Sequence, residues 1–297
     1  FGRKRIIYFG AGLYVLSAAG CMMATSLETM LFARLLQGIG AAGPRVVSHA
    51  LVRDLYSGRE MARISSFIMI VFALVPAMAP MLGAGVIIFF EWQAIFAVFI
   101  LFVIISTTWM GLRITEPVTA ENRVAFRYES FKSAVIEIMS LPIVRTAIVT
   151  LVFSYSILFT ALLLVQPVFD QYFDRAVSFP FWFALISIFA ASASFVNAML
   201  VMKLGMRRLV SAAFQVQVVW SISMLLLLNA GLVFGSLGFA LFVFWVFGVF
   251  FHAGMTMGNL TALAMEPLGH VAGTAASVVS AFATMGSVIL AGIAGQF

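Results

Sequence analysis

Residues 93–112 read QAIFAVFILFVIISTTWMGL, a run of 20 residues that carries no charged side chain. A helix needs roughly 20 predominantly apolar residues to cross the hydrocarbon core of a bilayer, so this run predicts a transmembrane helix. Eight other apolar segments are likewise too long for barrel strands and show no alternation with a period of two. The nine predicted transmembrane helices lie near residues 6–27, 30–52, 64–90, 93–112, 143–169, 177–202, 209–230, 236–265 and 271–297.

The composition of the whole chain agrees with a membrane setting. Of its 297 residues, 63% are hydrophobic and 9% are charged, whereas a soluble domain carries about 25% charged residues. This composition excludes a cytosolic enzyme, a secreted module and a nucleic-acid-binding protein. The single cysteine, Cys21, lies in an apolar run and excludes a disulfide framework or a cysteine-based metal site. We therefore expect an integral membrane protein that binds neither nucleic acid nor a metal ion.

The basic residues are distributed asymmetrically between the loops. When the nine segments are counted consecutively, 14 of the 17 Lys and Arg residues fall on one side and only Arg175 falls on the other. The two remaining basic residues, Arg34 and Arg45, lie within the second segment. Because short loops rich in Lys and Arg stay in the cytoplasm, the basic side is predicted to be cytoplasmic.

A polar stretch divides the chain into two predicted bundles. Residues 1–112 hold four segments, residues 113–142 form a cytoplasmic linker, and residues 143–297 hold five segments. The sequence Gly-Arg-Lys-Arg at 2–5 opens the first segment, and the similar Gly-Met-Arg-Arg at 205–208 opens the seventh. Duplicated halves are typical of secondary transporters, although two short motifs can also match by chance.

Two arginines lie inside the second segment. Arg34 and Arg45 are 11 residues apart, which corresponds to about three turns, or ~16 Å, along one face of a helix. Gln37 lies near the same stripe. An arginine within the membrane is costly unless it faces a polar cavity or a partner. Two interpretations stay open: the arginines lock helices together, or they line a polar pathway.

The same segment contains Gly38, Gly40 and Gly43 in the spacing G-x-G-x-x-G, which is also that of dinucleotide-binding loops. Such a loop follows a strand, whereas these glycines lie within a hydrophobic helix, so a dinucleotide site is excluded. The small residues instead predict close contact with another helix.

Two prolines in the third segment predict a bend. Pro76 and Pro80 each remove a backbone donor and clash with a preceding carbonyl group. Gly83 and Gly85 lie just beyond and would let another helix approach the bend. The bend is either a plain structural kink or part of a moving contact.

Three polar residues in the C-terminal half are candidates for lining a cavity, namely Gln166, His252 and Asn259. A single histidine in a helix bundle is more often a hydrogen-bonded packing residue, so packing is the competing interpretation. The sequence contains neither a G-x-S-x-G nucleophile motif nor an H-E-x-x-H metal motif. An intramembrane enzyme is therefore the least favoured function.

Four stretches resemble motifs of one family, the major facilitator superfamily. Residues 2–5 are similar to the end of its cytoplasmic loop motif, and residues 34–42 resemble R-x-x-Q-G-x-G-A-A of its fourth helix. Residues 79–84 resemble the antiporter motif G-P-x-x-G-G of its fifth helix, with alanine at both outer glycine positions. Residues 267–277 are similar to the entry to helix eleven in the Bcr/CflA-type group of bicyclomycin and chloramphenicol efflux proteins.

The resemblance implies an all-α membrane protein, a two-bundle helical transporter of the major facilitator type. The nine segments would be helices three to eleven of twelve, and the chain would be a fragment truncated at both ends. The site residues that it implies are the loop motif Gly2, Arg3, Lys4 and Arg5, the proton- or substrate-coupling candidates Arg34, Gln37 and Arg45, and the antiporter-motif bend of Pro76, Pro80 and Gly83.

The activity that the resemblance implies is multidrug efflux, in which amphipathic, drug-like molecules leave the cell in exchange for protons by alternating access. It implies a monomer in the cell membrane, surrounded by lipid, that uses a proton gradient and no cofactor. The two alanines in the fifth-helix motif keep solute uptake or symport open as an alternative. An intramembrane enzyme is the alternative of a different class.

We predict that the linker 113–142 lies in the cytoplasm, because five basic residues lie in it or next to it. A cysteine introduced by Asn122→Cys should react with a membrane-impermeant thiol reagent only after the cells are opened. Labelling of this cysteine from outside intact cells would contradict the predicted topology.

Overall fold

The computed structural model describes residues 2–56, 58–117 and 128–296, and within these ranges the chain forms helices joined by short turns. A π-helical turn, Val168–Tyr172, extends α6, and two 3-10 turns, Ala176–Ser178 and Glu266–Val271, precede α7 and α11. The α-helices in these ranges are α1 Arg3–Met22, α2 Leu27–Leu55, α3 Gly58–Phe89, α4 Ala94–Arg113, α5 Tyr128–Ser140, α6 Pro142–Pro167, α7 Phe179–Ala190, α8 Ser192–Leu204, α9 Met206–Asn229, α10 Gly235–Met265 and α11 Ala272–Ala294.

Several helix ends follow from local sequence. Ser26 caps α2, because its hydroxyl accepts the backbone N–H of Thr29 at 3.2 Å. Pro142 occupies the first turn of α6, where the missing N–H group of proline costs nothing. Between α8 and α9 the chain passes through Gly205 with φ of 77°, a left-handed conformation that favours glycine.

Seven helical segments in the described ranges are long and apolar enough to cross a membrane. They correspond to the first and the fourth to ninth predicted segments, and α7 and α8 together form one of them with a turn at Ala191. The second and third predicted segments are the helices α2 and α3, which are not among the seven. The chain is an all-α, multi-pass membrane protein, and the number of nine spans stays a prediction.

The chain divides into two compact units, residues 1–126 (unit 1) and residues 127–297 (unit 2). The division falls within the predicted linker 113–142, of which residues 118–127 lie outside the described ranges. The later part of the linker forms α5, whose Ile138 is fully buried in the core of unit 2. Part of the linker is thus a packed helix, and the predicted bundle boundaries stay a prediction.

In unit 1, α1 packs against α2 and α4. The first two helices approach closely where Gly10 of α1 faces Gly40 of α2. A Cβ atom added to Gly40 would lie 2.7 Å from the backbone nitrogen of Tyr14 and 2.8 Å from the carbonyl oxygen of Gly10. The close helix contact that the small residues predict is therefore confirmed at Gly40, whereas a Cβ at Gly38 would meet no described atom within 4 Å.

In unit 2, α10 is the central helix and contacts α6, α7, α8, α9 and α11. One core cluster contains Ile138, Leu151 and Leu260 and joins α5, α6, α10 and α11. A second cluster, rich in aromatic rings, surrounds the fully buried Phe169 just beyond the end of α6. The buried faces of α10 therefore organise the whole unit.

We expect Gly40→Ala to destabilise the protein and Gly38→Ala to leave its stability unchanged. The added methyl group at Gly40 would force α1 and α2 apart, at a cost of about 1–3 kcal/mol, whereas the methyl group at Gly38 meets open space. Thermal unfolding of the purified variants in detergent measures the difference. Equal melting temperatures for the two variants would show that the contact between α1 and α2 tolerates separation.

Candidate functional site

The predicted loop motif at residues 2–5 forms the start of α1, where a carboxylate binds the free backbone amides. The backbone N–H groups of Arg3 and Lys4 donate to Oε1 and Oε2 of Glu116, at 2.8 and 2.9 Å. The residue that precedes the helix, Gly2, has no side chain that could cap these groups. Glu116 thus places negative charge at the positive end of the α1 dipole.

The side chains of the motif bind the ends of two other helices. Lys4 Nζ donates to the carbonyl oxygens of Gly111 and Ile114, at 3.1 and 2.8 Å, where α4 ends. Arg3 Nε donates to Asp54 Oδ2 at 2.9 Å, next to the last residue of α2. The motif therefore ties the ends of α1, α2 and α4 together, while Arg5 is exposed.

Sequence reasoning identified Arg3 and Lys4 but missed their partners Asp54 and Glu116. Each partner is an acidic residue that closely follows a predicted span, on the same predicted side of the membrane as the loop motif. This position was the available signal. The spacing in sequence gave no indication of which carboxylate would meet which cation.

Two of the three coupling candidates on α2 form one cluster. Arg34 Nη1 donates to Gln37 Oε1 at 3.1 Å, and the guanidinium carbon of Arg34 lies 4.8 Å from the centre of the Phe96 ring on α4. Gln37 is only 4% exposed, and its Nε2 has no hydrogen-bond partner among the described residues. The third candidate, Arg45, lies three turns further along α2 and, like Arg34, is exposed. Whether these residues lock helices or line a pathway stays open.

The predicted bend lies on α3, which is helical from Gly58 to Phe89 and includes both prolines. The side chain of Pro76 lies outside the described part of the structure, and Pro80 is half-buried. A Cβ atom built on Gly83 or Gly85 would meet no described atom within 4 Å. The role of this stretch as a moving contact stays a prediction.

Two of the three cavity candidates belong to a row of buried polar residues on α10. His252 Nδ1 lies 3.2 Å from the carbonyl oxygen of Ala213 on α9, which requires a proton on Nδ1. Asn259 Nδ2 donates to Asn197 Oδ1 on α8 at 2.6 Å and to its own helix at the carbonyl of Met255. Between them, at Thr256, α10 is also bonded to α6.

This bond at Thr256 was missed by sequence reasoning. The hydroxyl groups of Ser154 on α6 and Thr256 on α10 are hydrogen-bonded to each other, and both side chains are fully buried. Thr256 follows His252 by one helical turn, so a search for polar residues at helical spacing could have found it. The structure does not bring the third candidate, Gln166, into this row: it is exposed near the end of α6.

Unit 2 contains two clefts: one is lined by the π-helical turn, α9 and α10, and the other by α6, α9 and α10. Their volumes are about 330 and 370 Å³. Neither is lined by Gln166, His252 or Asn259, so the structure does not place these candidates in either cleft. The polar row instead joins helices inside the unit.

We expect Glu116→Gln to lower stability by about 1–2 kcal/mol, because a neutral amide offers one acceptor oxygen for two backbone N–H groups and loses the attraction to the helix dipole. Glu91→Gln is the matched control, since Glu91 is an exposed carboxylate in the turn between α3 and α4. Thermal melts of both variants measure the effect. If both melt like the parent protein, the carboxylate of Glu116 does not stabilise the end of α1.

Comparisons with known proteins agree with the motifs. A sequence model of the Major Facilitator Superfamily matches residues 1–291. The chain is 30% identical over 300 residues to the bicyclomycin resistance protein homolog of Haemophilus influenzae, in a match that covers 97% of this chain and 73% of that protein.

Two shorter matches point the same way. The chloramphenicol resistance protein of Pseudomonas aeruginosa is 39% identical over 97 residues, which are 32% of this chain and 23% of that protein. The multidrug resistance protein MdtL of Escherichia coli is 34% identical over 95 residues, which are 32% of this chain and 24% of that protein. Because the family model covers nearly the whole chain, the protein belongs to the Major Facilitator Superfamily of membrane transporters.

Proposed function

We propose that the protein exports amphipathic, drug-like small molecules across the cell membrane in exchange for protons. The relatives support this substrate class, since their names connect them with resistance to bicyclomycin, to chloramphenicol and to multiple drugs. The structural observation that carries the proposal is the cluster of Arg34, Gln37 and Phe96, because it combines a cation, a buried amide and an aromatic face on neighbouring helices.

The chemistry of this cluster suits the recognition of a partly polar substrate. An arginine side chain is a fixed cation in proteins, so Arg34 is suited to binding charge rather than to carrying the transported proton. It can instead bind an anionic or dipolar group, including a carboxylate that exchanges protons. The buried amide of Gln37 can offer a hydrogen bond to a ligand oxygen, and Phe96 offers a surface for an apolar ring.

Alternating access requires the helix bundles to move largely as rigid bodies around the substrate-binding site. Units 1 and 2 each have a buried core of their own, as such movement demands. In this proposal Pro76, Pro80 and Gly83 of α3 maintain the contact between α3 and a neighbouring helix while the shape of that contact changes during transport. The transporter would work as a monomer in the plasma membrane, with the proton gradient as its energy source and without a cofactor.

Solute uptake or symport is the second candidate. Ala79 and Ala84 stand at the outer glycine positions of the antiporter-like motif in α3, and this departure favours it. An intramembrane enzyme remains the alternative of another class, and membership in a family of transporters argues against it.

We expect Arg34→Ala in the full-length protein to reduce drug resistance and dye efflux about tenfold or more while the amount of protein in the membrane is unchanged. The variant loses the charged hydrogen bond to Gln37 and the cation over Phe96, and one such bond contributes about 1.5–3 kcal/mol. Arg113→Ala is the control, since Arg113 is an exposed arginine at the end of α4.

Dye efflux driven by an imposed proton gradient in reconstituted vesicles tests the coupling directly. Transport by Arg34→Ala at the parental rate, with equal protein in the membrane, would assign Arg34 a structural role. If Arg113→Ala loses transport to the same extent, the effect is not specific to the position of Arg34. The cluster would then no longer support the proposal.

A further inference from the structure

The helix α5 lies on unit 2 where α10 and α11 meet. Its Ile138 is fully buried and belongs to one core cluster with Leu268 and Ala275. Leu268 lies in the 3-10 turn between α10 and α11, and Ala275 lies in the first turn of α11. Apolar contact therefore docks α5 on the turn that joins the two membrane helices.

One polar contact accompanies this apolar docking. His270 Nε2 lies 2.7 Å from Glu137 Oε1. Glu137 directly precedes the buried Ile138 on α5, and His270 lies in the same turn as the buried Leu268. The side chains of His270 and Glu137 are 60% and 46% exposed, so protons from the solvent reach the imidazole.

Glu137 is the charged group that faces His270. Among the described residues it alone lies within ion-pair distance of the imidazole. The other charged residues of the neighbouring elements are Glu129 and Lys132 on α5, Glu266 in the same 3-10 turn, Arg145 on α6, and Arg207 and Arg208 on α9, whereas α11 contains no charged residue. The carboxylate that meets His270 is therefore that of Glu137.

We propose that His270 and Glu137 form a proton-sensitive clasp that holds α5 on the turn between α10 and α11 more tightly at acidic cytoplasmic pH. An imidazole exchanges its proton between about pH 5 and 8. The protonated ring forms an ion pair with Glu137, so protonation favours the docked state of α5. This contribution is complete when the ring is protonated and is lost as the pH rises and the ring releases its proton.

The position of the clasp gives it a regulatory role. The helix α5 is itself the later part of the predicted linker 113–142, so the clasp would set how firmly that connection is anchored on unit 2. The inference goes beyond drug efflux and does not depend on it, because it rests on the His270–Glu137 contact and on the docking of α5. The test therefore measures the docking of α5 and not transport.

Hydrogen exchange of the α5 backbone amides in the purified protein tests the clasp, with rates corrected for intrinsic exchange at about pH 5.5 and 8. We expect about two- to fivefold more protection at the acidic pH, which is the effect of an exposed ion pair. His270→Lys, with a fixed positive charge, should keep the higher protection at both pH values. His270→Gln should give the lower protection at both.

Matched carboxylate variants separate the clasp from general charge effects. Glu137→Gln should abolish the pH dependence of protection, whereas Glu129→Gln should preserve it, since Glu129 is an exposed carboxylate on the same helix. Equal protection of α5 at both pH values in the parent protein would overturn the proposal. So would a pH dependence in Glu137→Gln as large as that in Glu129→Gln.

Discussion

The hydrocarbon core of a bilayer offers no hydrogen-bond partner to the peptide backbone, so the protein must bond every amide and carbonyl that lies within it. A helix meets this demand along its middle but leaves its first N–H groups and its last carbonyl groups without partners. In unit 1, Glu116 accepts two N–H groups at the start of α1, and Lys4 donates to two carbonyl groups at the end of α4. The charged residues of the loop motif thus lie where the helical backbone is incomplete.

The same demand governs polar side chains inside the helices, because a buried polar atom without a partner costs about 1–3 kcal/mol. Along α10 the bonds of His252, Thr256 and Asn259 reach three neighbouring helices, so polarity there serves to fix the unit. The Nε2 atoms of Gln37 on α2 and of His252 on α10 are both buried without a partner among the described residues. What distinguishes α2 is that the buried amide of Gln37 lies beside a guanidinium and an aromatic ring, which is the physical reason to look for ligand recognition there.

The helical segments could be predicted from sequence because each depends on about 20 consecutive residues and on the bilayer alone. The contacts of the site could not, since Arg3 meets Asp54 and Glu116 across 51 and 113 residues of sequence. The turn at Ala191, which divides one predicted helix into α7 and α8, contains neither proline nor glycine to announce it. The docking of α5 was equally hidden, because it depends on the packing of Ile138 against residues that follow much later in the chain.

Similar basic motifs open α1 in unit 1 and α9 in unit 2, but their side chains make different contacts. Lys4 and Arg207 occupy the same place in the motif, yet Lys4 binds the end of α4, whereas Arg207 has no hydrogen bond or ion pair within the described residues. One ion pair in the described part of unit 1 joins an arginine to an aspartate, and one in unit 2 joins a histidine to a glutamate. Histidine is the side chain whose charge ordinarily changes between pH 5 and 8. The contact that docks α5 on unit 2 therefore contains a side chain of this type, whereas the contacts described at the helix ends of unit 1 contain none.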